Sequence, residues 1–144
     1  MKLDKNGYEK LHVREGLVLH PYLDSKGVAT IAMGNTFYTD GRKVTMKDKS
    51  LTLGEAKVLS KVVADDFALK VSKLITSVVN QNQFNACVSL SYNIGIYGFA
   101  ASTALRLINI NPNDLAIGKA FMMWTKDKEL IGRRKSEVTQ YFTK

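Results

Sequence analysis

Glu15, Asp24 and Thr30 are the residues of this chain whose types and spacing point most directly to chemistry. They fall in one stretch, Arg14 to Asn35, which reads REGLVLHPYLDSKGVATIAMGN. Glu15 lies beside a glycine at what reads as a helix end, Asp24 in a turn, and Thr30 in a strand-like run. Two carboxyl groups and a hydroxyl gathered by a helix-to-hairpin connection are what general acid/base cleavage of a glycosidic bond requires. A carboxylate in the last helical turn faces the negative end of the macrodipole, which favours the protonated acid. Partial enclosure by a neighbouring hairpin acts in the same direction. Asp24, in a Gly/Ser turn, is expected to stay ionised, so the two acids sit in unlike environments. A plainer alternative makes Glu15 a surface acid and Asp24 only a turn former.

Positioning these groups needs a helix, a hairpin and a packed body. The segment 5–15 carries Tyr8, Leu11 and Val13 at helical spacing, with Gly16 suited to end the helix. Tyr22-Leu23 and the β-branched run VATIAM predict a hairpin around Asp24-Ser25-Lys26-Gly27. A further turn at Asp40-Gly41 precedes a short extended piece at Lys43 to Thr45. Thr52 followed by Glu55 is a capping box. The apolar positions Ala56, Leu59, Val63, Phe67, Val71 and Leu74 then predict one long helix to about Ser77. Helices are expected from Asn82 to Ile94, Ser102 to Ile108, Pro112 to Thr125 and Gly132 to Phe142, with Gly95 and Gly98 separating the first two and Pro112 at position N1 of the third.

The resulting fold class is α+β, mainly helical. A β-rich lobe over 12–54 is joined by a connecting helix, 55–77, to a helical lobe made of 78–144 and the N-terminal helix.

Bulk properties narrow the function classes. A chain of 144 residues, 45% hydrophobic and with two prolines, suits one packed domain. The formal charge of +8 suits a polyanionic partner, and wall polymers, nucleic acid and lipid headgroups all qualify. Nucleic-acid binding is disfavoured because basic residues are spread along the chain without aromatic interleaving. The single Cys87, in an apolar run, reads as a core residue, and His12 and His20 lack partners at metal spacing, so neither a metal nor a cofactor is expected. The polar N-terminus shows no signal peptide, and no run is long enough to span a membrane.

The wording around the acids carries more. REGxxLxxYxDxxGxxTIxxG, at Arg14, Glu15, Gly16, Leu19, Tyr22, Asp24, Gly27, Thr30, Ile31 and Gly34, resembles the motif of the phage-type lysozymes, the endolysins that cut peptidoglycan. The segment QFNACVSLSYNIGIYGFAASTAL is similar to that family's central helix, and Trp124 with IGRRKSE is similar to its C-terminal signature.

The resemblance implies a two-lobed fold and cleavage of the β-1,4 bond between N-acetylmuramic acid and N-acetylglucosamine. Glu15 would be the general acid, Asp24 the carboxylate opposite it, and Thr30 the group that places water. An inverting arrangement would separate the carboxyls by roughly 6.5–9.5 Å. Asn93 would support the sugar or cap its helix. Arg133 would reach the catalytic glutamate, whereas Arg134 reads equally well as a solvated surface charge. Trp124 reads as core. The resemblance also implies a monomer that waits in the host cytoplasm and needs a membrane-permeabilising partner to reach the wall. A lytic transglycosylase and a non-catalytic wall-binding module are the competing functions; retention of Asp24 and Thr30 favours hydrolysis.

The C-terminal signature is shortened here to Leu130-Ile131-Gly132-Arg133-Arg134, and two positions near the acids also depart from the family wording. Ala32 stands where glycine is common and is expected in an ordinary backbone conformation. Asn35 stands where histidine is common, so its bonds are neutral.

Overall fold

The computed structural model describes residues 1–144. Seven helices and one two-stranded antiparallel sheet follow in the order α1 (Lys5–Glu15), β1 (Val18–Leu23), β2 (Ala29–Ala32), α2 (Leu53–Leu74), α3 (Gln81–Ile94), α4 (Ile96–Ala100), α5 (Thr103–Ile110), α6 (Ala116–Met122) and α7 (Leu130–Tyr141). The mainly helical α+β class is as expected. Compactness divides the chain into two units, Tyr8–Asp66 and the remainder, Met1–Gly7 with Phe67–Lys144. The division falls inside α1 and α2.

In the unit Tyr8–Asp66, side chains from one turn of α1 to the next meet α2. The Tyr8 hydroxyl donates to Asp65, the Lys61 ammonium lies 5.2 Å from the Tyr8 ring centre, and His12 Nε2 is 2.9 Å from Ser60 Oγ. Ser60 Oγ itself donates to Lys57 O, so the ring nitrogen of His12 supplies the proton of their bond. Burial, then the nearby Lys57 charge, pushes His12 below its usual value, with Glu9 opposing.

The hairpin pairs Tyr22 with Thr30 and Leu23 with Ala29, but Val18 with Ala32, so β1 carries an irregularity between Val18 and Tyr22. Pro21 lies there, where a missing N–H costs the ladder least. Ile31, Ala32, Val44, Ala56 and Leu59 form the buried cluster beneath the hairpin. The 36–48 loop is tied by Asp48, which accepts from Thr45 N, Thr45 Oγ1 and Tyr38 Oη. Those bonds, the backbone one foremost, hold the Asp48 carboxyl down at about 2.

Ala32 corrects one expectation. Its φ is 60°, the left-handed region, because Ile31 and Asn35 exchange both backbone hydrogen bonds at 2.9 Å and the chain must reverse between them. The methyl group is 1% exposed, so packing partly offsets the backbone strain. Asn35 supports the reversal, accepting from Met33 N at 3.3 Å and donating to Leu59 O at 3.0 Å. Ala32→Gly is expected to change stability by less than about 1 kcal/mol, since relieved strain and a lost buried methyl are of similar size. Ala32→Val is expected to lose about 2 kcal/mol or more, because a β-branched residue fits neither the φ nor the space. Urea unfolding of the pair checks both.

The second unit is built round α3, in which every residue from Gln83 to Ser91 is buried. Its strongest packing partner is α7, with α4 on a second side, while α6 packs on both α5 and α7. Phe84, Val88, Leu90, Phe99, Ile108, Ile117, Phe121 and Tyr141 fill the core. Cys87 is fully buried among them, as expected, and burial pushes its thiol up.

Three boundaries differ from the sequence expectation. The long helix stops at Leu74 rather than Ser77. Asn109 takes over its end, donating to Leu74 O and accepting from Thr76 N, while Ser77 Oγ donates to Ile108 O. Pro112 does not start α6: its carbonyl accepts from Gln83 Nε2 and Tyr141 Oη, and turns through Asn111 and Asp114 delay the helix to Ala116. Gly98 is not a break, since it lies inside the short α4, where its bare Cα leaves room for the Trp124 ring.

Candidate active site

Glu15, Asp24 and Thr30 all lie in the unit Tyr8–Asp66. Glu15 is the last residue of α1 and is half-buried. Gly16 follows with φ 74° and donates its N–H to His12 O at 2.8 Å, which ends the helix directly beyond the acid. The chain can then turn into β1 within two residues.

Asp24 is fixed by the turn it makes. Its Oδ1 accepts from Lys26 N at 2.8 Å and Val28 N at 2.9 Å, and its own N–H donates to Val28 O at 3.0 Å. Gly27, at φ 76°, closes the turn by donating to Asp24 O. One carboxylate oxygen is thus structural, and Oδ2 is left without a protein partner. Thr30 sits opposite Tyr22 in the register, so it shares a face of the hairpin with Tyr22 and with Asp24 two residues further on. Its hydroxyl donates to Val28 O at 2.8 Å, the carbonyl that also receives the Asp24 N–H. With its proton committed, the Thr30 hydroxyl can only accept from a further partner. The backbone of Val28 therefore fixes both side chains, its N–H holding Asp24 and its C=O Thr30.

Asn93 and Arg133 lie in the other unit, with Arg134. Arg133 Nε donates to Glu137 Oε2 at 3.1 Å and its NH2 group to Ser89 O at 3.0 Å. Arg134 corrects a second expectation. It is 0% exposed, not a surface charge, and donates to Trp124 O, Glu137 and Asn93 Oδ1. Glu137, also 0% exposed, accepts from Ser89 Oγ at 2.5 Å as well. Asn93 is exposed and does not cap α3, because the Gly95 N–H bonds Ser91 O. Trp124 is half-buried rather than core. Sequence reasoning missed Glu137 and Ser89. The spacing of Arg133, Arg134 and Glu137, one helical turn apart, was the available signal for an ion-pair network.

Comparison with known proteins gives the family. The family profile described as phage lysozyme matches residues 12–137. The endolysin of Salmonella phage P22 is 36% identical over 141 residues, covering 95% of each chain. The crystal structure of a P22 lysozyme mutant superposes with a TM-score of 0.89 at 34% identity, covering 99% of both chains. The muramidase domain of SpmX from Asticcacaulis excentricus superposes with a TM-score of 0.83 at 28% identity, again over 99% of both. The chain belongs to the phage lysozyme family.

Proposed function

We propose that this protein is an endolysin, a peptidoglycan-lytic enzyme that hydrolyses the β-1,4 bond between N-acetylmuramic acid and N-acetylglucosamine. Family membership supports wall cleavage, and the hairpin carries the case for hydrolysis. Asp24 Oδ2 has no protein partner and the Thr30 hydroxyl, 2% exposed, keeps an unused acceptor site, the two side chains being held by the N–H and C=O of Val28. That pair suits a water molecule: Thr30 accepts one of its protons and Asp24 takes the other as the oxygen attacks the anomeric carbon. Glu15 donates its proton to the departing glycosidic oxygen, and the Asp24 carboxyl group lies where it can offset the positive charge that develops on the sugar. Attack by water opposite the leaving group inverts the anomeric centre. Asn93 and Arg133 are assigned to substrate binding or support.

The charge of +8 raises the encounter rate with a carboxylate-bearing wall at low salt. No helix is long and apolar enough to cross a membrane. Passage from the host cytoplasm to the wall is assigned to a separate membrane-permeabilising partner, and the enzyme to a monomer. Mass spectrometry of digested wall tests the reaction. Reducing ends are expected; anhydro-muramic ends would instead make the protein a transglycosylase, and intact wall would make it a binding module.

A further inference from the structure

α6 and α7 pack on each other within the second unit and leave a groove of about 700 Å³ between them, inside the range of small-molecule sites. Gly118 lies where the two helices meet: a Cβ there would sit 3.4 Å from Val138 Cγ1 and 3.6 Å from the Phe142 ring. Met122 and Met123 extend this apolar wall from the α6 side, and Val138 supplies it from α7. Met123 is 68% exposed, so the chain itself leaves the wall open. Polar groups on it are few. Thr139 Oγ1 donates to Lys135 O at 3.0 Å, which spends the proton of the one hydroxyl present. Lys119 from α6 and Lys135 from α7 are the only charged residues that line the groove. Neither ammonium is paired, and no carboxylate lines the walls.

We propose that this groove binds a single-chain anionic amphiphile of the fatty-acid class, its alkyl chain on the methionine and valine wall and its anionic head held by Lys119 and Lys135. Two cations with no opposing acid select a negative group by charge complementarity. The apolar wall selects a chain behind that group. No aromatic ring lines the groove, so a planar ligand has nothing to stack on, whereas unbranched methionine side chains conform to a flexible chain. α6 is only seven residues long, roughly 10 Å of rise, which is short for a partner helix that must place its anchors over two turns. The site does not depend on the lytic function, since none of its walls is assigned to that reaction.

Isothermal titration of the intact protein with dodecanoate, kept below its micellar concentration, tests the site. One molecule is expected to bind with a dissociation constant of about 0.1 mM. Decanoate, two methylenes shorter, should bind about tenfold more weakly. Dodecyltrimethylammonium keeps the chain and reverses the charge, and should give no measurable heat. Lys119→Gln with Lys135→Gln changes two exposed positions, so the fold is kept while dodecanoate weakens about tenfold. Met123→Asp, also at an exposed position, places a carboxylate on the apolar wall and should abolish binding. Absence of saturable binding would overturn the proposal, as would equal affinity for the cationic amphiphile or undiminished affinity in either variant. Binding to anionic phospholipid vesicles with none to free dodecanoate would also overturn it, and would make the groove a membrane-contact face instead.

Discussion

Glu15→Gln is expected to abolish clearing of permeabilised bacteria, lowering the cleavage rate by about 10²–10⁴-fold, while the fold stays as stable as wild type to within about 1 kcal/mol. An amide of the same shape keeps its place at the end of α1 but has no proton to give a glycosidic oxygen. Stability is spared for a local reason. A charged glutamate at a helix C-terminus opposes the macrodipole, so neutralising it removes an unfavourable interaction of about 0.3–1 kcal/mol. Asp24→Asn is the matching control. An asparagine Oδ1 can accept the same two N–H groups from Lys26 and Val28, so the turn survives while the free carboxylate oxygen is lost. A turbidity assay with melting curves reads both variants. Clearing by Glu15→Gln at the wild-type rate would end the assignment of this residue as the acid.

The parts of this site that could be read from the sequence are those whose chemistry is local. Glu15 before Gly16, the Asp24 to Gly27 turn and the Thr52–Glu55 capping box each involve neighbours a few residues apart, and each forms as expected. Expectations failed where a distant segment decides. The end of α2 is set by Asn109, and Pro112 is kept out of α6 by two side chains, Gln83 and Tyr141, that need its carbonyl. Ala32 takes a left-handed conformation because the Ile31–Asn35 reversal and the buried cluster under the hairpin demand it, against the preference of the residue itself. Arg134 is the clearest case. Adjacent arginines near a chain end suggest solvated charge, and only the presence of Glu137, Trp124 O and Asn93 around one of them makes burial possible.

Glu137→Gln is expected to cost about 3–5 kcal/mol, a fall of roughly 10 °C in melting temperature. The carboxylate is wholly buried and accepts from Ser89, Arg133 and Arg134. An amide of the same size can keep at most part of that set, and whichever way it turns its nitrogen presents protons to a guanidinium, which only donates. Arg134 then remains 0% exposed without the negative charge that makes its burial tolerable. Ser89→Ala is expected to cost less, about 1.5–3 kcal/mol, because it removes one hydrogen bond to a carboxylate that keeps its two cations. The ordering of the two variants in urea unfolding is the decisive reading. Equal small losses would mean that α7 is held to α3 by apolar packing alone, with the ion pairs only accommodated. A much larger loss for Glu137→Gln makes the buried charges interdependent. The same carboxylate would then govern stability directly and, through Arg134, the orientation of Asn93 at the surface.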